Sequence, residues 1–162
     1  MSRLIIYDLP EKLTTAENGD MLFYAKPMVK PCMGCFACWT KTPGECAIAD
    51  RCRLIPSCCA KSEEMVLISP IVYGGYSENV KAVLDRFIPY VLPYFRIVNG
   101  EMHHKRRNKN KFKLTVCFYG ECDSEEKLIA ESLVKANAIN FGAESLEVKF
   151  YDGPEGLRRD VF

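Results

Sequence analysis

"EMVLISPIVYGGYSENVKAVLDRF", residues 64–87, is the passage that decides the fold. Residues 64–72 form a continuous apolar run that ends shortly after Ser-Pro, with Gly-Gly close behind. A strand with one wet face alternates apolar and polar side chains. A run without that alternation reads as a parallel strand covered on both faces. Behind it, "ENVKAVLDRFIPYVLPYF" (78–95) carries Val80, Val83, Leu84, Phe87 and Ile88 at helical spacing, with Ser77 as a good N-cap. That helix should pack back on the sheet.

The flanks repeat the pattern. "RLIIYDL" (3–9) and "MLFYA" (21–25) read as short buried strands, and "PEKLTTAENGD" (10–20) between them reads as a loop with too few residues for a useful helix. "RLIPSCCAKSE" (53–63) suggests a short helix, with Asp50 as a plausible N-cap and Pro56 limiting its length. "KFKLTVCFYGE" (111–121) reads as the next strand, and "DSEEKLIAESLVKANAINFGA" (123–143) as the clearest helix, capped by Ser124 and stopped at Gly142. "ESLEVKFYD" (144–152) reads as a last strand and "GPEGLRRDVF" (153–162) as an irregular tail. Strands alternating with helices define an α/β chain, so an open parallel sheet with helices on both faces is expected. Ligands then bind beyond the carboxyl ends of the strands. The unusual loops fall there: residues 69–77, residues 119–124, and the cysteine-rich stretch after residue 25.

At 162 residues the chain is long enough for one domain with a real core. Lys and Arg number 22 against 21 Asp and Glu, a net charge of +1 that argues against a polyanionic partner. The basic stretch "HHKRRNKNK" (103–111) has no aromatic residue interleaved for base stacking, so it reads as a solvated loop and no nucleic acid is expected. No apolar run reaches the roughly 20 residues of a membrane span, so no membrane partner is expected. "MSRLIIYDLPEKL" lacks the small-residue cleavage site of a signal peptide, which points to a cytoplasmic protein. In that compartment nine cysteines, an odd number, suit metal or redox chemistry better than a disulfide framework.

Five of the nine lie in "KPCMGCFACWTKTPGECAIADRC" (30–52), and Cys32, Cys35, Cys38 and Cys46 have the spacing C-x2-C-x2-C-x7-C. Four thiolates so spaced can wrap a cubane, the first three projecting toward one centre and the fourth closing the cage. Zinc competes for the same ligands, although it usually prefers two separated pairs. The third alternative is a packed loop of free thiols. Cys58 and Cys59 read as packing residues, and Cys52, Cys117 and Cys122 fall outside the cage by spacing. Trp39 reads as packing, Asp85 and Arg86 as a helix end, and His103 and His104 as part of the polar loop. No catalytic residue can be assigned from spacing.

The segments "KPCMGCFACWTKTPGEC", "LISPIVYGGYSENVKAVLDRF" and "GEMHH" before a strand ending in "FYGE" together resemble the flavodoxin-like NADPH-dependent FMN reductases and their iron–sulfur flavoprotein branch. The resemblance implies a single flavodoxin-like domain over residues 1–162, with a five-stranded parallel sheet in the order 2-1-3-4-5. It implies an FMN-binding oxidoreductase or electron-transfer flavoprotein, working as a homodimer with a small-molecule or protein redox partner. Ser69, Pro70, Tyr73, Gly74, Gly75, Tyr76 and Ser77 would hold the flavin ring, Gly120 would close its far side, and Cys32, Cys35, Cys38 and Cys46 would hold a [4Fe–4S] cluster. The family begins with a phosphate loop and a long first helix. Here that helix is deleted or reduced, Asp8 and Glu11 stand where the phosphate should sit, and Thr14 and Thr15 are the residues resembling a phosphate grip. The alternative is a relative that has lost FMN and acts as a binding or assembly subunit, with or without a zinc or thiol site.

Overall fold

A computed structural model describes residues 2–13 and 19–161, with backbone only for 158–160. The chain runs β1 (Arg3–Tyr7), β2 (Met21–Tyr24), α1 (Ala37–Thr40), α2 (Ile55–Cys59), β3 (Glu64–Pro70) and α3 (Glu78–Leu84), which continues as a 3-10 helix over Asp85–Tyr90. Then follow β4 (Val91–Val98), β5 (Glu101–Arg106), β6 (Lys113–Tyr119), α4 (Ser124–Phe141), β7 (Ser145–Tyr151) and α5 (Pro154–Val161). The main sheet has the order β2-β1-β3-β6-β7, all parallel, which is the expected 2-1-3-4-5 when only its own strands are counted. The fold is flavodoxin-like.

Strand β3 lies inside this sheet, and its two faces look into two separate cores. Met65 and Leu67 join Leu4, Ile6, Leu114, Val116 and Phe118 under Val80 and Val83 of α3 and Ala130 and Val134 of α4. Val66 and Ile68 join Ile5, Tyr7, Leu9 and Cys117 on the other face, closed by Leu157 of α5. Burial on both faces is why the run at 65–68 never alternates. The second face turns polar at one end. Toward the amino ends of the strands it carries Thr115, which donates to Glu64 (2.6 Å), and Lys113, which pairs with Glu147, itself 3.2 Å from Lys149. Among the described residues between β1 and β2 there is no helix, and Thr14 and Thr15 lie outside the described residues.

Four readings need correction. The tail is not irregular: Pro154 opens α5, where its fixed φ suits a first helical position, and Leu157 anchors it. The segment 78–95 is not one helix. Regular α-helix stops at Leu84, Pro89 lies inside the 3-10 continuation, and residues from Val91 form a strand. The stretch 103–111 is not wholly a loop, because β5 runs to Arg106 and pairs with β4. Their connection is Asn99-Gly100 with φ of 52° and 84°, the left-handed pair that a tight type I′ hairpin requires. Finally, α4 is capped by Asp123 rather than Ser124: the Asp123 carboxylate accepts the Glu126 amide (2.8 Å) while Glu126 reaches back to the Asp123 amide (3.3 Å). No described helix is long and apolar enough to cross a membrane.

Candidate functional site

Beyond the carboxyl end of β3 the chain makes a tight turn. Val72 and Gly75 exchange two backbone hydrogen bonds (3.0 and 2.9 Å) around Tyr73 and Gly74, whose φ values of 49° and 71° again make a type I′ turn. Gly74 is required twice over: its φ is left-handed, and a Cβ there would stand 2.8 Å from Ile129 of α4. The turn is tied down at its base. Buried Ser69 accepts the Ser77 amide (2.8 Å), and the Ile71 amide donates to the Tyr119 carbonyl (2.9 Å), joining the loop to β6.

The two tyrosines of this loop are used differently. Tyr73 projects from the tip, 90% exposed. Tyr76 turns inward, its ring 5.3 Å from Phe118 and its hydroxyl accepting from Asn137 (3.2 Å), and burial pushes its phenol up to about 12. The loop therefore offers one free aromatic face. Gly120, at the carboxyl end of β6, has φ 111° and donates its N–H to the Tyr151 carbonyl (3.0 Å). The structure thus gathers Ser69–Ser77 and Gly120 at one end of the sheet, with Pro70 paired beside Tyr119.

At the same end lies a cluster only partly legible in the sequence. Asp8 follows β1, and its carboxylate is 2% exposed. Its Oδ2 accepts from Ser77 Oγ (2.7 Å) and Asn79 Nδ2 (3.0 Å), and its Oδ1 is ion-paired with Lys26 Nζ (2.7 Å). Burial pushes this carboxyl up, but the hydrogen bonds from Lys26, Ser77 and Asn79, with the Lys26 charge, outweigh it and hold Asp8 below the usual carboxylate range. An Asp closing a buried strand was visible in the sequence. Its donors were not, because they come from distant segments that only the fold unites.

The four motif cysteines converge on a different place, a small apolar pocket that Arg86, Ile88 and Pro89 also line. Cys32 and Cys35 are exposed, Cys46 is half-buried and Cys38 is buried. Burial pushes the Cys38 thiol up, and the neighbouring charges of Cys46, Cys35 and Cys32 add to that. Arg86 anchors the loop from below with no exposed side-chain surface. It donates to Asp50 (2.6 Å) and to the backbone carbonyls of Lys30 (3.2 Å) and Ile48 (3.3 Å). Burial pushes the Asp50 carboxyl up, and Arg86 more than reverses this. Asp50 caps the Cys52 amide (3.0 Å) in a turn rather than capping α2, which starts at Ile55. Trp39 is a packing residue as expected, donating to the carbonyls of Ile88 and Val91 and lying 5.1 Å from His104.

The four thiols around this pocket give the donor number of either a [4Fe–4S] cluster or a zinc cage. Among the described residues no three Cys, His, Asp or Glu side chains are grouped so as to hold a metal ion. Cys52, Cys59 and Cys117 are inert packing thiols, pushed up by burial to about 12, 12 and 11.

Sheet order, switch-point loop and cysteine pocket define a flavodoxin-like α/β protein, and the comparisons agree. Over 77 residues the chain is 32% identical to an iron–sulfur flavoprotein of Methanocaldococcus jannaschii, a match covering 46% of this chain and 39% of the relative. It spans well under half the length of that curated relative. Its fold is similar to an FMN-dependent NADH-azoreductase from Bacillus anthracis solved in complex with FMN, at TM-score 0.60 and 12% identity, covering 98% of this chain and 92% of the other. No family model matches the chain. The resemblance to flavodoxin-like FMN reductases and iron–sulfur flavoproteins therefore stands.

Proposed function

We propose that this chain is a flavin-dependent oxidoreductase or electron-transfer flavoprotein, binding the flavin ring beyond the carboxyl ends of β3 and β6. The observation that carries the reading is the Tyr73 turn. A rigid, backbone-paired loop at the ligand-binding end of a doubly wound sheet holds a single aromatic face out to solvent. The matched relative is an iron–sulfur flavoprotein and the structural neighbour holds FMN, which supports the same reading.

A bound flavin would supply hydride or single-electron chemistry. The residues of this chain do the holding. Tyr73 would cover one face of the ring, the Ser69–Ser77 backbone with Pro70, Gly74 and Gly75 would frame its edge, and the Gly120 loop would bound the far side. Tyr76 supports the loop from the core rather than touching the ring. Cys32, Cys35, Cys38 and Cys46 would hold a [4Fe–4S] cluster, with the Arg86 guanidinium offsetting the negative charge of four thiolates. A homodimer is part of the reading, supported by the exposed Tyr94, Phe95, Ile97 and Met102 on the β4–β5 hairpin.

The test is anaerobic purification followed by visible absorbance, iron and acid-labile sulfide analysis, and flavin titration. Saturable shifts of the flavin bands, lost in Tyr73→Ala, are expected. A spectrum that no flavin perturbs would favour the binding-subunit alternative, and zinc without iron would assign the cysteines to a structural site.

A further inference from the structure

Among the described residues, those around the carboxyl end of β1 fit the phosphate of FMN poorly. A phosphate site at a β1 switch point is built from free backbone amides and an unpaired cation. Here the amides around β1 and β3 are engaged internally. Asp8 N–H donates to the Ile68 carbonyl (2.9 Å), Leu13 N–H to the Tyr7 hydroxyl (3.2 Å) and Ser77 N–H to Ser69 Oγ (2.8 Å). The side-chain donors are engaged too, all by one group: Ser77 Oγ at 2.7 Å, Asn79 Nδ2 at 3.0 Å and Lys26 Nζ at 2.7 Å converge on the Asp8 carboxylate. The backbone that carries Asp8 is fixed as well, its carbonyl accepting from the Tyr119 hydroxyl (2.6 Å) and that of Leu9 from the Tyr24 hydroxyl (3.2 Å).

Hydroxyl, amide and ammonium donors converging on one buried anion are the set that would grip a phosphate group. We propose that the Asp8 carboxylate stands in for the flavin phosphate, so that this cleft takes the unphosphorylated flavin, riboflavin, in preference to FMN. The proposal rests on the flavin reading above and concerns only the tail of the ligand. An ionised phosphate brought to this place would share its donors with a carboxylate of like charge. An alcohol terminus carries no charge and meets no such conflict. The ring site and the tail site are thus decoupled, the first kept for a flat aromatic ligand and the second closed by the chain itself.

The experiment measures dissociation constants of riboflavin and of FMN for the intact purified protein by flavin fluorescence, in the wild type and in Asp8→Asn. In the wild type riboflavin binds at least as tightly as FMN. In Asp8→Asn, where Lys26 loses its counter-charge, the ratio of the two constants shifts toward FMN by about tenfold. Wild-type protein that binds FMN about tenfold or more tightly than riboflavin overturns the proposal while leaving the flavin reading intact, and places the phosphate grip elsewhere, for instance on a second copy. A ratio that Asp8→Asn leaves unchanged removes the role of Asp8. Indifference to both flavins sinks the flavin reading and this proposal with it. The wild-type comparison needs no variant, so the proposal can fail even if Asp8→Asn does not fold.

Discussion

At the amino end of α3, Asp8 gathers Ser77, Asn79 and Lys26; just beyond its carboxyl end, Asp50 holds Arg86. Both are buried or nearly buried carboxylates, and both are held below the ordinary range by cationic and hydrogen-bonding partners that overcome the cost of burial. They differ in where the partners come from. The Asp8 partners are side chains from two separate segments, and satisfying the charge occupies all three of them. The Asp50 partner is one guanidinium whose other donors hold the backbone of the cysteine loop, so satisfying that charge props a pocket open beside it. The same pairing of charges closes one site and frames another.

The largest effect expected is at Arg86. Replacing it with Met strands Asp50 and two backbone carbonyls, and should cost about 3–5 kcal/mol in urea unfolding, with the cysteine pocket collapsing. Adding Asp50→Asn should recover part of that; no recovery would mean that the backbone carbonyls, not the ion pair, carry the energy. Asp8→Ala should cost less, about 2 kcal/mol, because Lys26 and the Asn79 amide can turn to water. An equal or larger loss there would erase the contrast between the two ends of the helix. Gly74→Ala, which meets Ile129 at a left-handed position, should cost about 1–3 kcal/mol and reduce flavin binding by displacing Tyr73.

A pH series sharpens the comparison further. Because both carboxylates are depressed in the folded state, their stabilisation is fully present above the unfolded value near pH 4 and is lost as pH falls through the lower folded values. Asp8→Asn and Asp50→Asn should each flatten the acid limb of the stability curve measured by urea melts from neutral to acid pH. The smallest effect is chemical rather than energetic. Native-state alkylation followed by mass spectrometry should modify Cys32 and Cys35 first and Cys52, Cys59 and Cys117 last, and early labelling of Cys117 would contradict the second core.

The legible parts of this molecule share a cause. The run at 64–72, the cap at Ser77 and the spacing of four cysteines are local patterns, and they signalled the parallel sheet and the convergence of the cysteines, while the strand order came from the family resemblance. The hairpin β4–β5 is also signalled, by Asn99-Gly100, but the helical spacing of Phe87 and Ile88 masks the stop that Pro89 and Pro93 impose. Helix α5 was missed because it is short, mostly polar and carries Pro154 and Gly156: it sends only Leu157 and, one turn on, Val161 toward the core among the side chains described. The donors around Asp8 were illegible for another reason. Each donor is an ordinary residue in its own segment, and only the β1–β3 neighbourhood makes them a set.

Helix α5 has one more consequence, in the order of synthesis. The face of the sheet formed by Ile5, Tyr7, Ile68 and Cys117 is assembled from strands that leave the ribosome early, yet it is capped by Leu157, and Arg3 of the first strand waits to donate to the carbonyl of Val161 (3.0 Å). A nascent chain halted before residue 154 would lack the cover that Leu157 gives this apolar face. Such a chain would be a substrate for chaperones until residues 154–161 emerge to cover it.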